Sequence, residues 1–249
     1  MSNKLKGKVA LVTGASSGIG EATAISFAEE GASVAIVARR EDRLQSLAER
    51  IRGMGSKVLV IPADLTDQAQ AKGAVERTVA ELGRLDILVN NAGIMLLGPA
   101  AEARLEDWKS MININLMAVL YVTHAALPTF RAQGAGHIVM VSSVSGRFTS
   151  PTSNVYSVTK FGVNAFAESL RQEFSAKHKI RVSVIEPGVV ATELTDHLTH
   201  QATRETYVAN TSKWERLESG DIAAAILYAV TQPPRVNVNE ILIRPTDQG

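Results

Sequence analysis

The sequence predicts a single α/β domain built on a doubly wound parallel sheet of about seven strands. Three observations carry that reading. Short β-branched runs recur at 8–13, 33–38, 57–63, 85–90, 137–143, 181–187 and 240–245. The first six are almost wholly apolar, as strands covered on both faces are. Segments with helical spacing separate them, and strand–helix alternation of this kind builds a Rossmann-like sheet with helices on both faces.

The helical segments carry their own punctuation. The stretch 20–31 closes at Gly31. The stretch 41–55 places Leu44, Leu47 and Ile51 on one face and ends in glycines. The stretch 67–83 opens at Asp67, a candidate N-cap, and closes at Gly83. A longer helix is expected over 153–176. It has apolar groups on more than one face, among them Val155, Val158, Phe161, Val163, Phe166 and Leu170, so it needs a partner besides the sheet. One segment breaks the rhythm. Between Gly188 and Ser219 no strand is expected, and Thr, His and charged residues are frequent. An insertion of that length reads as a functional lobe, assigned here to 189–218, within a single domain spanning 1–249.

Composition narrows the function classes. Hydrophobic residues are 45% and charged residues 20%, enough for a large core and against disorder. Lys+Arg is 26 against Asp+Glu 25, and no long basic run occurs, so neither nucleic acid nor an anionic membrane is expected as a partner. There is no cysteine, which excludes disulfides, thiolate catalysis and Cys-ligated zinc and suits a reducing cytoplasm. The N-terminal stretch has no signal-peptide pattern, and no run approaches the length of a membrane span. A soluble, cytoplasmic protein is expected. Of five histidines only His197 and His200 are close, and no carboxylate pattern completes a ligand set, so no metal is expected.

Chemistry gathers at the strand ends. After the first strand, TGASSGIG (13–20) opens the first helix. Gly14, Gly18 and Gly20 allow a tight turn and close approach of a pyrophosphate, and the helix N-terminus supplies N–H groups. The second strand ends in VARRED. Twenty residues past Gly18 stands Ala38, where an NAD enzyme would place an acid for the ribose 2′-hydroxyl. Arg39 and Arg40 follow, and a guanidinium fork suits a 2′-phosphate. NADP(H) is therefore the expected cofactor, with Arg39 as its main determinant. After the fifth strand, Tyr156 and Lys160 lie four apart, on one helical face. A neighbouring ammonium favours the phenolate and brings a tyrosine closer to working pH.

These motifs, in this order and spacing, resemble the short-chain dehydrogenase/reductase family in its one-domain branch, over essentially the whole chain. Thr13-Gly14-x3-Gly18-x-Gly20 is similar to the family's cofactor loop, to which Ser16, Ser17 and Ile19 belong. Asp64, followed by Leu65, resembles the adenine contact. Asn91, Ala92 and Gly93 belong to an NNAG segment like the one that supports sheet and cofactor. Pro187, Gly188, Val190 and Thr192 resemble the segment lining the nicotinamide. The resemblance implies Asn115, Ser143, Tyr156 and Lys160 as the catalytic set, with Asn113 and Ser142 as neighbouring alternatives. It implies that Tyr156 exchanges a proton with the substrate oxygen and that Ser143 donates a hydrogen bond to it. Lys160 would tune the tyrosine and hold the nicotinamide ribose, and Asn115 would anchor a water that links Lys160 to solvent. It also implies a homotetramer with helix-to-helix contacts, and a C-terminal segment near a subunit interface.

Within the family, pieces such as NNAGIMLLGP and YSVTKFGVNAF look most like clavulanate-aldehyde reductase and the NADP-dependent 3-hydroxy-acid or serine dehydrogenases. A small carbonyl or hydroxy compound is the expected substrate. Met95, Ser143, Ser145, Tyr156, Val189, Leu194 and Tyr207 are its expected contacts, with Leu198 and Trp214 adding to the apolar wall. The alternatives are a 3-oxoacyl-carrier-protein reductase and a non-catalytic dinucleotide sensor.

Overall fold

The computed structural model describes residues 3–248. Seven parallel strands form one sheet: β1 (Val9–Thr13), β2 (Ser33–Ala38), β3 (Val58–Pro62), β4 (Ile87–Asn90), β5 (Gly136–Val141), β6 (Ile180–Pro187) and β7 (Glu240–Ile243). Their spatial order is β3-β2-β1-β4-β5-β6-β7. The chain builds outward from β1 in one direction, then returns to add β4 on the other side, with Leu11 opposite Leu88. That reversal leaves a crevice at the carboxyl ends of β1 and β4, where ligands bind in open sheets of this kind.

Both faces of the sheet are covered, as the unbroken apolar runs require. Along β1, Leu11 faces one core cluster with Leu88, Ile138 and Phe130. Ala10 and Val12 face the other, with Phe27, Leu44 and Ile226. The two edges differ from the centre. β7 alternates between exposed and half-buried, and most of β3 is half-buried, because each has a sheet neighbour on one side only.

The helices follow the punctuation to within a few residues. The first, α1 (Gly18–Glu29), starts two residues before the expected Gly20, and α2 (Glu41–Gly53) ends before Gly55. In α3 (Gln68–Leu82), the Asp67 carboxylate accepts from the amides of Ala69 and Gln70, and Gly83 closes the helix at φ 85°. Next come α4 (Leu105–Ile112), a π-helical turn over Asn113–Met117, and α5 (Ala118–Gln133). This continuous stretch corrects the expectation about membrane spans: Leu105–Gln133 is long and apolar enough to cross one by length and composition. Part of its apolarity serves the interior, since Met111, Ala118, Val122, Ala126 and Phe130 are buried.

The long helix α6 (Asn154–His178) buries Val163, Ala167, Leu170 and Phe174, and leaves Val158 and Phe161 exposed. The segment after β6 holds a short 3-10 turn (Glu193–His197) and α7 (Gln201–Thr211) before α8 (Ser219–Thr231). Its neck is closed by a bridge between Val190 and Leu217, with amide-to-carbonyl bonds from Ala191 to Leu217 and from Leu217 to Val189.

Candidate active site

A cavity of about 460 Å³ opens at the carboxyl ends of the strands and runs from the glycine loop to Tyr156. Every sequence-predicted cofactor and substrate residue lines it except Gly20, Leu198 and Trp214. Of the predicted catalytic set, only Asn115 stands outside the lining.

The glycine loop is fixed from behind. Gly14 and Gly18 adopt φ +65° and +58°, the left-handed region that glycine favours. Gly20 is enclosed: a Cβ there would overlap the Gly14 carbonyl oxygen and stand 2.5 Å from Asn91 Nδ2. Asn91 in turn donates to the carbonyls of Thr13 (2.9 Å) and Gly14 (3.3 Å). Thr13 Oγ1 accepts from the amides of Asn91 and Ala92 and donates to the Val89 carbonyl. One buried hydroxyl thus ties the ends of β1 and β4 together.

At the end of β2 the two arginines part. Arg39 is exposed at the cavity rim and has no hydrogen-bond or ion-pair partner among the described residues. Arg40 bonds to the loop through Ser16 Oγ (3.0 Å) and Ser17 Oγ (2.8 Å), and to Glu193 Oε2 at 2.9 Å. Past β3, Asp64 lines the cavity while one of its oxygens accepts from the amide and hydroxyl of Thr66. Leu65 lies beside it, and Ala92 and Gly93 carry the lining onward from β4.

The chemical end is formed by β5 and α6. Ser143 caps the short turn Val144–Gly146, and its oxygen accepts from the Ser145 amide at 3.1 Å. A hydrogen bond from Ser143 holds down the Tyr156 phenol, but burial is the stronger influence and pushes it up to about 12. Burial also brings the Lys160 ammonium down to about 8. Lys160 Nζ donates to the Val141 carbonyl at 3.0 Å and lies 5.7 Å from the centre of the Tyr156 ring. The expected downward pull of Lys160 is therefore not what sets Tyr156: desolvation of the phenolate is the largest influence, followed by the Ser143 hydrogen bond. Ser142, the neighbouring alternative, turns toward the Lys160 carbonyl at 3.4 Å.

Asn115 is buried in the π turn, where one residue is added to the helical ring, and not in a regular helix interior. Its side chain accepts from the Ile94 amide, and donates to the Ile94 carbonyl and to Thr159 Oγ1. Asn113 is exposed.

The far wall comes from the segment after β6. Pro187, Gly188, Val189, Val190 and Thr192 line the cavity along its edge, and Leu194 and Tyr207 face Met95 and Leu97. Leu198 and Trp214 are absent from the lining. Leu198 packs behind it with Met95 and Met111, and Trp214 is half-buried elsewhere. Sequence reasoning missed Gln248. Its side-chain oxygen accepts from the Val189 amide at 3.0 Å and occupies the space a Cβ at Gly188 would take. Gln248 thereby braces this chain's own cavity wall from the C-terminal segment. The two nearby histidines separate: His197 lines the cavity, whereas His200 bonds to Glu102 and caps α7.

This geometry accommodates a nicotinamide dinucleotide. Gly14 and Gly18 themselves add no side chain to the cradle, the helix α1 begins at its edge, and the cavity continues to the phenol and ammonium. Residues 8–203 match the family model described as short chain dehydrogenase. The chain belongs to that family. It is similar to the glycine betaine reductase ATRR of Emericella nidulans, 41% identical over 244 residues; it covers 19% of that much longer protein. It is 40% identical over 241 residues to an uncharacterized oxidoreductase of Staphylococcus aureus, covering 97% of this chain and 98% of that one. Among solved structures, the closed form of serine dehydrogenase complexed with NADP+ superposes with a TM-score of 0.88 at 33% identity, covering 97% and 96% of the two chains. A short-chain dehydrogenase/reductase from Burkholderia phymatum in complex with NAD gives 0.88 at 25% identity, covering 96% and 89%. The protein is thus an oxidoreductase of this family with a nicotinamide cofactor.

Proposed function

We propose that this protein uses NADP(H) to reduce small, uncharged ketones or aldehydes and to oxidise the corresponding alcohols. The observation that carries the proposal is a buried tyrosine, protonated at working pH, facing a cavity beside Ser143 and Lys160. A bound nicotinamide supplies or takes up the hydride. Tyr156 gives its phenolic proton to the carbonyl oxygen during reduction and recovers one from the alcohol during oxidation. Ser143 donates a hydrogen bond to the same oxygen and stabilises the charge that develops there. Lys160, fixed by the Val141 carbonyl, keeps further N–H donors for ribose hydroxyls. Gly20 and Asn115 act from behind, one by letting the loop close on β4 and the other by holding the backbone at Ile94.

NADP(H) is supported by Ala38, Arg39 and Arg40 at the end of β2, where no acid is present to hold a 2′-hydroxyl. The substrate class is supported by the wall around Tyr156. Met95, Leu97, Val189, Leu194 and Tyr207 are apolar or aromatic, and Ser145 and Thr152 add hydroxyls. The lining arginines lie at the other end, by the glycine loop, so no guanidinium faces the substrate. The proposal extends to a cytoplasmic homotetramer, supported by the absence of cysteine and by the exposed Val158 and Phe161 on α6.

The test is NADPH and NADH consumption with paired substrates: aldehydes, ketones, 3-oxo acids, and the neutral esters of those acids. Faster turnover of the neutral members with NADPH is expected. A preference for the free acids would overturn the substrate class, and a clear preference for an acyl carrier thioester would favour fatty-acyl chemistry. No turnover with any carbonyl would return the protein to a sensing role.

A further inference from the structure

Glu193 is the first residue of the 3-10 turn in the 189–218 segment, yet its carboxylate reaches Arg40, beyond the end of β2. One oxygen pairs with Arg40 Nη1 at 2.9 Å, the other with Arg43 Nη1 at 2.5 Å. The remaining nitrogens of Arg40 are also committed: Nε and Nη2 donate to Ser16 Oγ, and Nη2 to Ser17 Oγ. All three guanidinium nitrogens are therefore engaged, Nη1 by an anion on the outer edge. One residue earlier, Thr192 packs on the loop itself, its Cγ2 lying 3.2 Å from where a Cβ at Gly18 would be.

We infer that Glu193 is a specificity-determining residue for the cofactor, an internal anion that a 2′-phosphate must displace before Arg40 can join Arg39 in holding it. The inference rests on the NADP(H) reading above. Carboxylate and phosphate compete for the same planar fork, and two anions on one guanidinium repel each other. Glu193 cannot yield by taking up a proton near neutrality, because the two arginines hold its carboxyl down to about 2. It can yield by moving. Arg40 and Glu193 are about two-fifths exposed, at 39% and 41%, so water screens the pair and it opens at little cost. A dinucleotide without the phosphate leaves the pair intact. The phosphate thereby acts at a distance: releasing Glu193 frees the turn that carries Leu194 on the substrate wall.

The test is direct binding, read by nicotinamide fluorescence for NADPH and NADH and by calorimetry for 2′,5′-ADP and 5′-ADP. Glu193→Gln keeps the size of the side chain and removes its charge. It is expected to bind NADPH and 2′,5′-ADP about three- to tenfold more tightly than the wild type, with NADH and 5′-ADP unchanged. Unchanged or weaker NADPH binding would overturn the inference while leaving the cofactor reading in place. An equal change for both dinucleotides would show that Glu193 merely holds the lobe. A wild type that binds NADH more tightly than NADPH would remove the cofactor reading and the inference together.

Discussion

The glycine loop and the 189–218 lobe face each other across one cavity, but different forces hold them. The loop is set by close backbone approach: Gly20 against the Gly14 carbonyl, Asn91 against Thr13 and Gly14, and Thr13 across to Val89. Beyond its neck, the lobe packs Leu194, Leu198 and Tyr207 against Met95, Leu97 and Met111, and polar side chains near the surface tie down its outer side. Glu193 pairs with Arg40 and Arg43, Thr199 donates to Asp107 at 2.6 Å, and His200 meets Glu102 at 3.1 Å. Interior steric contacts tolerate almost no change, whereas exposed polar pairs contribute little each and are easily exchanged. The glycine-loop side is thus built as a rigid seat, and the surface of the lobe as one that can shift.

The largest expected effect lies where the two sides meet. Tyr156→Phe keeps the ring and removes the proton, so turnover should fall by about 10²–10⁴-fold while NADPH binding persists. A rate near that of the wild type would remove Tyr156 from the chemistry.

Gly20→Ala probes the rigid seat. The added methyl meets backbone, which cannot rotate away, so overpacking of about 1–3 kcal/mol is expected. A fall in melting temperature of roughly 2–10 °C should follow, with weaker dinucleotide binding. An unchanged melting temperature would mean that the seat is softer than its contacts imply.

Lys160→Met tests the buried ammonium through pH. The folded Lys160 titrates at about 8, below the usual 10.5, so the unfolded chain binds more protons between those values. Wild-type stability should therefore gain up to about 3 kcal/mol from this group as pH rises through that window, and the variant should lack the gain. Tyr156 has the opposite sign. Its folded pKa is raised from 10 to about 12, so its contribution is lost as pH climbs through that range, in both proteins alike. Parallel stability curves from pH 8 to 10 would show that Lys160 is better solvated than its burial indicates.

The smallest effect belongs to the lobe. Glu102→Gln breaks an exposed contact with His200, and stability should change by less than about 0.5 kcal/mol. A larger loss, measured by urea unfolding, would make the lobe as firmly held as the seat.

The same division governs what the sequence discloses. The central strands were legible because unbroken apolar runs such as VALVT have one stable use, burial on both faces. Asp67 and Gly83 marked their helix because a cap is a local hydrogen bond or a local φ angle. The cavity lining was legible for the same local reason at the glycine loop, and elsewhere along the strand ends through the family resemblance. The Arg40–Glu193 pair was not: its partners are 153 residues apart, and a lone surface carboxylate has no periodicity to betray its partner. Gln248 was missed in the same way, 59 residues from the amide it holds. The π turn also escaped, since NINLM differs from an ordinary helical stretch only in how the ring of hydrogen bonds closes.

Gln248 also bears on how a sample of this protein is judged. The sheet is finished at Ile243, and the described residues after it, 244–248, make contacts such as Asp247 to the Glu215 amide and Gln248 to the Val189 amide. A protease that nibbled away the last few residues would leave every strand and helix intact. Circular dichroism and gel mobility would pass such a preparation as native, although the wall beside Gly188 had lost its brace. Intact mass, measured alongside activity, is what distinguishes a slow enzyme from a clipped one.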